Sequence, residues 1–535
     1  MAAFRITRRE MVRRGGLVAV PALVGVGGAS AGRVIAAATS SAATPFAGPG
    51  LYESIGVRPF VNARGTYTIL TGSTMLSEAR AAMGEASRHY VHLDELAEAT
   101  GRRLAELTGA EWGLVSTGCA AALTHATAAC VTGGNPDLHV RIPDLRGFAK
   151  DECVIPRHSR NVYDAAVRAV GVRVVEVDSA EELEAAFGPR TALVYILAGP
   201  NADEGPLRTQ AICAAASKRG VPVLVDAAAE ILTRPNVHLE LGADLVAYSG
   251  GKCLRGPQAA GLLLGRKDLV KAAWVGSAPH HGFARSLKVG KEEAMAMLAA
   301  VEQWFERDYE AEIRLWASWL DTVAKALARV AGVTTSVTPA EGLSNRMPLL
   351  QIRWDRAALG TTGEAVARLL FDSEPRIALF PAREKHEGTE TGLTIGPYMM
   401  APGDAETIAE RLRAVLSNPP RVADKPPAPP TADLSGTWDV RIEYAASAST
   451  HRLDLRQRGN DLDGTHEGDF VSRDCRGTID GDAVRIHSSW EHGDSLEYTF
   501  TGRVGGDEIA GALSLGEYLD ARFHATRHSP GRADA

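Results

Sequence analysis

The chain has 535 residues, 45% of them hydrophobic and 23% charged, which describes a globular protein with apolar material for a large core in roughly two to four domains. A formal net charge of −7 leaves no basic footprint and argues against nucleic acid as a partner. Six cysteines (Cys119, Cys130, Cys153, Cys213, Cys253, Cys475) at irregular spacings, with no C-x-x-C, indicate neither a metal site nor a dense disulfide framework.

Residues 1–44 read as a targeting segment. Arg8 and Arg9 stand in a basic region ahead of an apolar, Gly/Ala-rich run, and small residues around Ala36 to Ala38 suit a signal peptidase. This pattern predicts a twin-arginine signal peptide, engagement with the twin-arginine export machinery, and a periplasmic or extracellular mature protein. No other apolar run approaches the ~20 residues of a membrane span, so none is expected after removal of the signal.

From residue 51 to 310, short apolar runs alternate with amphipathic helices. The runs are WGLVST (112–117), ECVIP (152–156), VRVVEV (172–177), TALVYIL (191–197), VPVLVDA (221–227), ADLVAYS (243–249) and AAGLLLG (259–265). Runs apolar on both faces, separated by helices such as 207–220, predict an α/β domain with a mostly parallel central sheet and right-handed crossovers. Residues 290–332 carry apolar positions at helical spacing, as one long helix or a helix pair. A small α+β subdomain is expected over 311–417, with strands at 349–355 and 392–398 and a last helix at 404–417. The Pro-rich stretch 418–432 reads as a semi-rigid linker. Residues 433–528 alternate polar and apolar side chains between GN, DG and GG turn signals, which predicts an all-β antiparallel meander closing into a sandwich or a small, lipocalin-like barrel. In it His487 and His492 read as exposed histidines rather than ligands.

Three features of the first block fit one kind of chemistry. Ser116, Thr117, Gly118 and Cys119 lie between a strand and an Ala-rich helix, where backbone N–H groups and the helix dipole favour an anion such as phosphate. Asp226 ends a buried run, and ligands of open α/β sheets bind beyond the carboxyl ends of the strands. Lys252 follows Ser249 and two glycines at the next strand end, where an amine is placed for covalent catalysis. Taken singly, the first is also an ordinary helix cap, the second also an N-cap, and the third also a solvated turn lysine. In this order they make the three supports of a pyridoxal-phosphate site: a phosphate cup, an acid for the pyridine nitrogen, and a Schiff-base lysine.

The stretches VNARGTYTILTGSTM (61–75), 92–123, VDAAAE (225–230), YSGGKCLRGPQAAGLLLGRKDLV (248–270) and RSLKVGKEE (285–293) give the resemblance. From Val61 to Tyr309 the chain resembles fold-type I pyridoxal-phosphate enzymes, in particular the branch of bacterial selenocysteine synthase (seryl-tRNA selenium transferase) and D-glucosaminate-6-phosphate ammonia-lyase. The resemblance implies that Lys252 binds pyridoxal 5'-phosphate, that Asp226 partners its ring nitrogen, and that Ser116 to Cys119 and Ser249 hold its phosphate. It implies that His158 stacks on the ring, and that Arg255 and Gln258 line the site or the neighbouring subunit's phosphate region. Arg285, Lys288 and Arg376 would serve an anionic group of a small amino substrate. It further implies a homodimer or higher homo-oligomer. The sequence departs from the pattern at Ala227, Ala228 and Ala229, where many class-V-like relatives carry a glutamine.

The expected activity is that of a lyase or transferase working at the α-carbon of a small amino acid or amino sugar acid, with α,β-elimination of the ammonia-lyase type in first place. An aminotransferase or racemase on the same scaffold, a selenocysteine synthase-like transferase, and a non-catalytic binding protein retaining the fold are the alternatives. Export disfavours charged tRNA as substrate, and the intact lysine–aspartate pair disfavours a relic.

Overall fold

Seven strands form the large sheet: β1 (Trp112–Ser116), β2 (Glu152–Pro156), β3 (Arg173–Val177), β4 (Thr191–Leu197), β5 (Val223–Asp226), β6 (Leu245–Ser249) and β7 (Gly261–Gly265). The computed structural model describes residues 50–382, 389–420, 427–492 and 494–528. The export signal read at 1–44 lies outside the described residues. The chain divides into a unit ending at Pro59 and a unit from Phe60 onward. Within the first, a 3-10 turn at Glu53–Ile55 is closed by Gly56 at φ 78°.

The sheet order is β1-β7-β6-β5-β4-β2-β3. Strands β2 to β6 pair in parallel with one another, and β7 pairs antiparallel with both β1 and β6. All residues of β1, β2, β5 and β7 are buried, because helices cover both faces. The strand period of two divides their side chains between two cores: Val194 and Ile196 of β4 enter one, Leu193 and Tyr195 the other. The helix Cys119–Thr132, rich in alanine, is buried along nearly its whole length. Small side chains let it lie close to β6 and β7.

The apolar stretch 290–332 is a helix pair, Lys291–Glu306 and Tyr309–Leu327. The break falls at Asp308, whose carboxylate accepts the Ala311 N–H at 2.8 Å and caps the second helix. A four-stranded antiparallel sheet follows, in the order Phe380–Pro381, Glu390–Ile395, Leu349–Asp355, Val333–Thr338. Its core joins Leu320 and Val323 of the second long helix to Leu412 of the helix Asp404–Ser417. The strand expected at 392–398 stops at Ile395, since Pro397 opens a 3-10 turn.

The segment from Gly436 to Arg527 is a closed barrel of eight antiparallel strands, so closure rather than a two-sheet sandwich removes its edges. One end is sealed by Trp438, which is fully buried and donates its indole N–H to the Leu434 carbonyl at 2.9 Å. The Arg527 guanidinium lies 4.5 Å over that ring and donates to the Ser435 and Asp433 carbonyls.

Candidate active site

The carboxyl ends of β5 and β6 and the amino end of the helix Cys119–Thr132 converge on one cavity of about 170 Å³. Asp226, Ser249, Lys252, Gly118, Cys119 and Gln258 line it, as do Thr66, Thr68, Gly72, Tyr163 and Ala228. Strand topology accounts for the meeting: β5 and β6 are parallel neighbours, so the residues that end them stand side by side.

Asp226 is 2% exposed and fully engaged. Its Oδ1 accepts the Ala228 N–H at 3.1 Å and the Cys119 thiol at 3.5 Å, and its Oδ2 accepts the Tyr195 hydroxyl at 3.0 Å. Burial still raises its pKa, against the opposing pull of these donors and of the Lys252 charge. The Tyr195 hydroxyl in turn accepts from the Asn161 amide at 3.0 Å, and the Asn161 side-chain oxygen accepts the Tyr163 N–H at 2.8 Å. One asparagine thus holds both the support of the acid and the loop that brings Tyr163 into the cavity. Burial, and then the Asp226 charge, push the Tyr163, Tyr195 and Cys119 pKa values up, which keeps all three neutral around the one carboxylate.

The helix amino end is built for an anion. Gly118 takes φ 92° and a Cβ there would meet nothing within 4 Å, no side chain caps the helix among the described residues, and its first turn holds no acid. On the far side, a Cβ on Gly261 would fall 2.5 Å from the Gly118 carbonyl carbon, so β7 presses directly against this loop. The Lys252 turn is pinned by the segment 66–75. Ser73 N–H donates to Gly251 O at 2.9 Å, Arg255 at φ 52° donates to Thr74 at 3.0 and 3.1 Å, and Gln258 donates to Thr68 O at 3.3 Å.

The cavity brings together Lys252, Asp226, Ser249, Gly118, Cys119 and Gln258 from among the residues expected on sequence grounds. Ser116 and Thr117 do not line it: Ser116 is fully buried as the last residue of β1, and its hydroxyl is spent on the Gly118 carbonyl at 2.8 Å. His158 does not line it either; the turn Arg157–Ser159 leaves it half-buried, with burial lowering its pKa, while the next turn delivers Tyr163. Arg255 is committed to Thr74, one step behind the cavity wall. Arg285 and Lys288 lie exposed around the turn Arg285–Leu287. Arg376 donates to the Phe371 carbonyl at 2.7 Å and stacks on that ring at 4.1 Å, which holds it outside this cavity. His487 is exposed and 3.1 Å from the Thr499 hydroxyl, while the His492 side chain lies outside the described ones.

Sequence reasoning missed Tyr163, Tyr195 and Asn161. A signal for Tyr195 was present, since one phenol inside the aliphatic run TALVYIL needs a buried hydrogen-bond partner. The donor set fits pyridoxal phosphate: an uncapped helix end for the phosphate, a buried carboxylate lacking a full counter-charge for a protonated ring nitrogen, and an amine in the same cavity.

Comparison with known proteins agrees with this geometry. The family model described as aminotransferase class-V matches residues 158–281. The chain is 29% identical over 380 residues to D-glucosaminate-6-phosphate ammonia lyase of Salmonella typhimurium (strain 14028s / SGSC 2262), covering 69% of this chain and 99% of that protein. It is 32% identical over 377 residues to 5'-C-glycyluridine monooxygenase-decarboxylase of a Streptomyces species, covering 68% and 92%. A solved structure of D-glucosaminate-6-phosphate ammonia-lyase superposes with a TM-score of 0.61 at 28% identity, over 69% of this chain and 98% of that one. The site and these relatives together place the chain in the class-V branch of the fold-type I pyridoxal-phosphate-dependent enzymes.

Proposed function

We propose that the protein is a lyase that eliminates the α-proton and a β-substituent from a small amino acid or amino sugar acid, the released enamine then taking up water to give a keto acid and ammonia. The observation that carries this reading is the cavity in which the Lys252 amine, the buried Asp226 carboxylate and the uncapped end of the helix Cys119–Thr132 meet. Likeness to an ammonia lyase along 99% of that protein's length supports the choice of reaction.

When bound, pyridoxal phosphate supplies an electron sink for the substrate's α-carbon. Asp226 then holds a proton on the ring nitrogen, and Tyr195, Cys119 and the Ala228 N–H fix that carboxylate in place. The Gly118–Cys119 helix end and Ser249 hold the phosphate. The Lys252 Nζ accepts the α-proton and can return it to the departing group, a general acid–base step. Tyr163 offers a flat phenol to the ring in the role expected of His158.

The test is direct. The purified protein should be yellow and be fixed by borohydride, with the reduced cofactor on Lys252. Serine-like and amino sugar acids should release ammonia without an added keto acid. Colourless protein that takes up no cofactor overturns the reading. Release of carbon dioxide with oxygen uptake would favour the second reading, suggested by the 32% identical monooxygenase-decarboxylase.

Two further proposals attach to this reading. Export through the twin-arginine route is supported by Arg8 and Arg9, and Arg8→Lys with Arg9→Lys should leave the protein in the cytoplasm. A homodimer is supported by the segment beside the cavity, where Ile69 is 83% exposed. Light scattering should return at least twice the chain mass.

A further inference from the structure

Lys252 stands in a turn between β6 and β7, outside any strand or helix. No ladder of backbone hydrogen bonds fixes such a segment, and a lysine carries its amine on a flexible stem, so the reach of Nζ depends on what holds the turn. The segment 66–75 holds it on one side. A second hold comes from Arg307, which the proposed lyase chemistry does not use.

Arg307 is where the helix Lys291–Glu306 stops: it leaves helical geometry for φ −73° and ψ 137°, and its side chain reaches the Lys252 turn. The guanidinium is 11% exposed, and its nitrogens are divided between two neighbours. Nη1 donates at 3.1 Å to the carbonyl of Cys253, the residue directly after Lys252. Nε and Nη2 donate to the two Glu312 carboxylate oxygens at 2.9 and 2.5 Å, a bidentate pair. The Cys253 thiol in turn donates to the Glu230 carbonyl at 3.0 Å, so Cys253 is tied through its main chain and its side chain alike.

Glu312 belongs to the next helix, Tyr309–Leu327, which carries Leu320 and Val323 into the core of the small subdomain. An ion pair serving this helix junction alone would need only the two nitrogens on Glu312. The third, spent on a carbonyl 54 residues back in the chain, ties the junction to the lysine. We propose that Arg307 is a positioning residue for Lys252: paired with Glu312, it fixes the Cys253 carbonyl and so the place from which the Lys252 amine reaches the cofactor. The inference rests on the pyridoxal-phosphate reading of the cavity. The step it governs is the condensation in which the Lys252 nitrogen attacks the cofactor's aldehyde carbon, a C=N bond forms, and the aldehyde oxygen leaves as water with the two amine hydrogens.

The test mixes cofactor-free full-length protein with rising pyridoxal phosphate and follows the visible absorbance of the Lys252 adduct. The half-saturating concentration reads docking on Asp226 and the helix end, and the plateau rate reads the covalent step. Arg307→Met should lower the plateau about tenfold or more, since about 1 Å of misplacement can cost about a hundredfold, and leave half-saturation within about twofold. Glu312→Gln keeps one acceptor oxygen for the guanidinium and should lower the plateau by a smaller factor. Arg190→Met removes a pair of the same geometry, 2.8 and 2.6 Å to Asp151 beside the start of β2, and should change neither quantity. A wild-type plateau in both Arg307→Met and Glu312→Gln overturns the proposal, and so does a plateau loss matched by an equal rise in half-saturation, the mark of a loosened fold. If Arg307→Met does not fold, an unchanged plateau in Glu312→Gln overturns it alone. Wild-type protein that forms no adduct overturns the cofactor reading itself, which separates the two failures.

Discussion

Tyr195 donates its hydroxyl hydrogen to Asp226 Oδ2 at 3.0 Å from the neighbouring parallel strand, deep under the site. The phenol is fully buried, so the bond is unscreened and its loss leaves the carboxylate with two donors. Tyr195→Phe keeps the ring and removes only this donor. Hydrogen bonds to charged groups contribute about 1.5–3 kcal/mol, so cofactor affinity should fall roughly tenfold or more. Absorbance titration with pyridoxal phosphate reads this without turnover, and an unchanged affinity would remove Tyr195 from the support of the acid.

Asp226 itself is a liability to the cofactor-free protein. Its folded pKa is raised, chiefly by burial. Between the ordinary carboxylate value and that raised value the folded state binds more protons than the unfolded one, so stability falls as pH rises through this window and stays low above it. Asp226→Asn removes the ionisation. The cofactor-free variant should therefore melt higher at neutral pH, by roughly 2–4 °C for about 1 kcal/mol, while losing cofactor binding. Calorimetry at pH 7.5 on resolved protein checks both halves, and a lower melting temperature would contradict the account.

Much of this site could be read from the chain because strand-end residues announce themselves. Asp226 and Lys252 each follow a buried apolar run, and parallel neighbours must place such ends together. The seven runs became seven strands for the same reason: period and length decide burial on both faces. What escaped was set by packing at a distance. Tyr163 reaches the cavity on the second of two consecutive 3-10 turns, held by the bonds of Asn161 to Tyr195 and to the Tyr163 N–H, which strand and helix patterns do not reveal. Arg376 lies beside Phe371, on whose ring and carbonyl its guanidinium rests, a contact that its sequence neighbourhood did not announce. In the barrel, strand alternation was plain. That His451 and His466 would face each other depends on register, which the turns fix only once the barrel closes.

Gly261 and Gly118 bear on the phosphate end of the site in different ways. At Gly261 a Cβ would lie 2.5 Å from Gly118 C and 2.7 Å from Cys119 N, so Gly261→Ala must push the helix end away from β7. At Gly118 there is room, but φ 92° is strained for any L side chain, at a cost on the order of 1–3 kcal/mol. Gly261→Ala should therefore weaken cofactor binding more than Gly118→Ala does, although it occupies no ligand space itself. Cofactor titrations of the two variants decide the ranking, and the reverse order would show that strain in the loop outweighs its displacement.

The barrel should respond to acid through its buried histidines. Burial, followed by the nearby His451 and Arg473, lowers the His466 pKa from 6.5 to about 3, and burial lowers that of His451 as well. Between about 6.5 and about 3 the unfolded chain takes up protons that the folded barrel refuses, so stability is full at neutral pH and drains as pH falls through this window. His466→Gln keeps a neutral side chain able to bond His451 and Ser488 and removes one of the two titrations. Urea unfolding followed by Trp438 fluorescence should show a midpoint that drops from pH 7.5 to pH 4.5 in the wild type and drops less in the variant. Equal drops in the two proteins would assign the acid sensitivity to carboxylates instead.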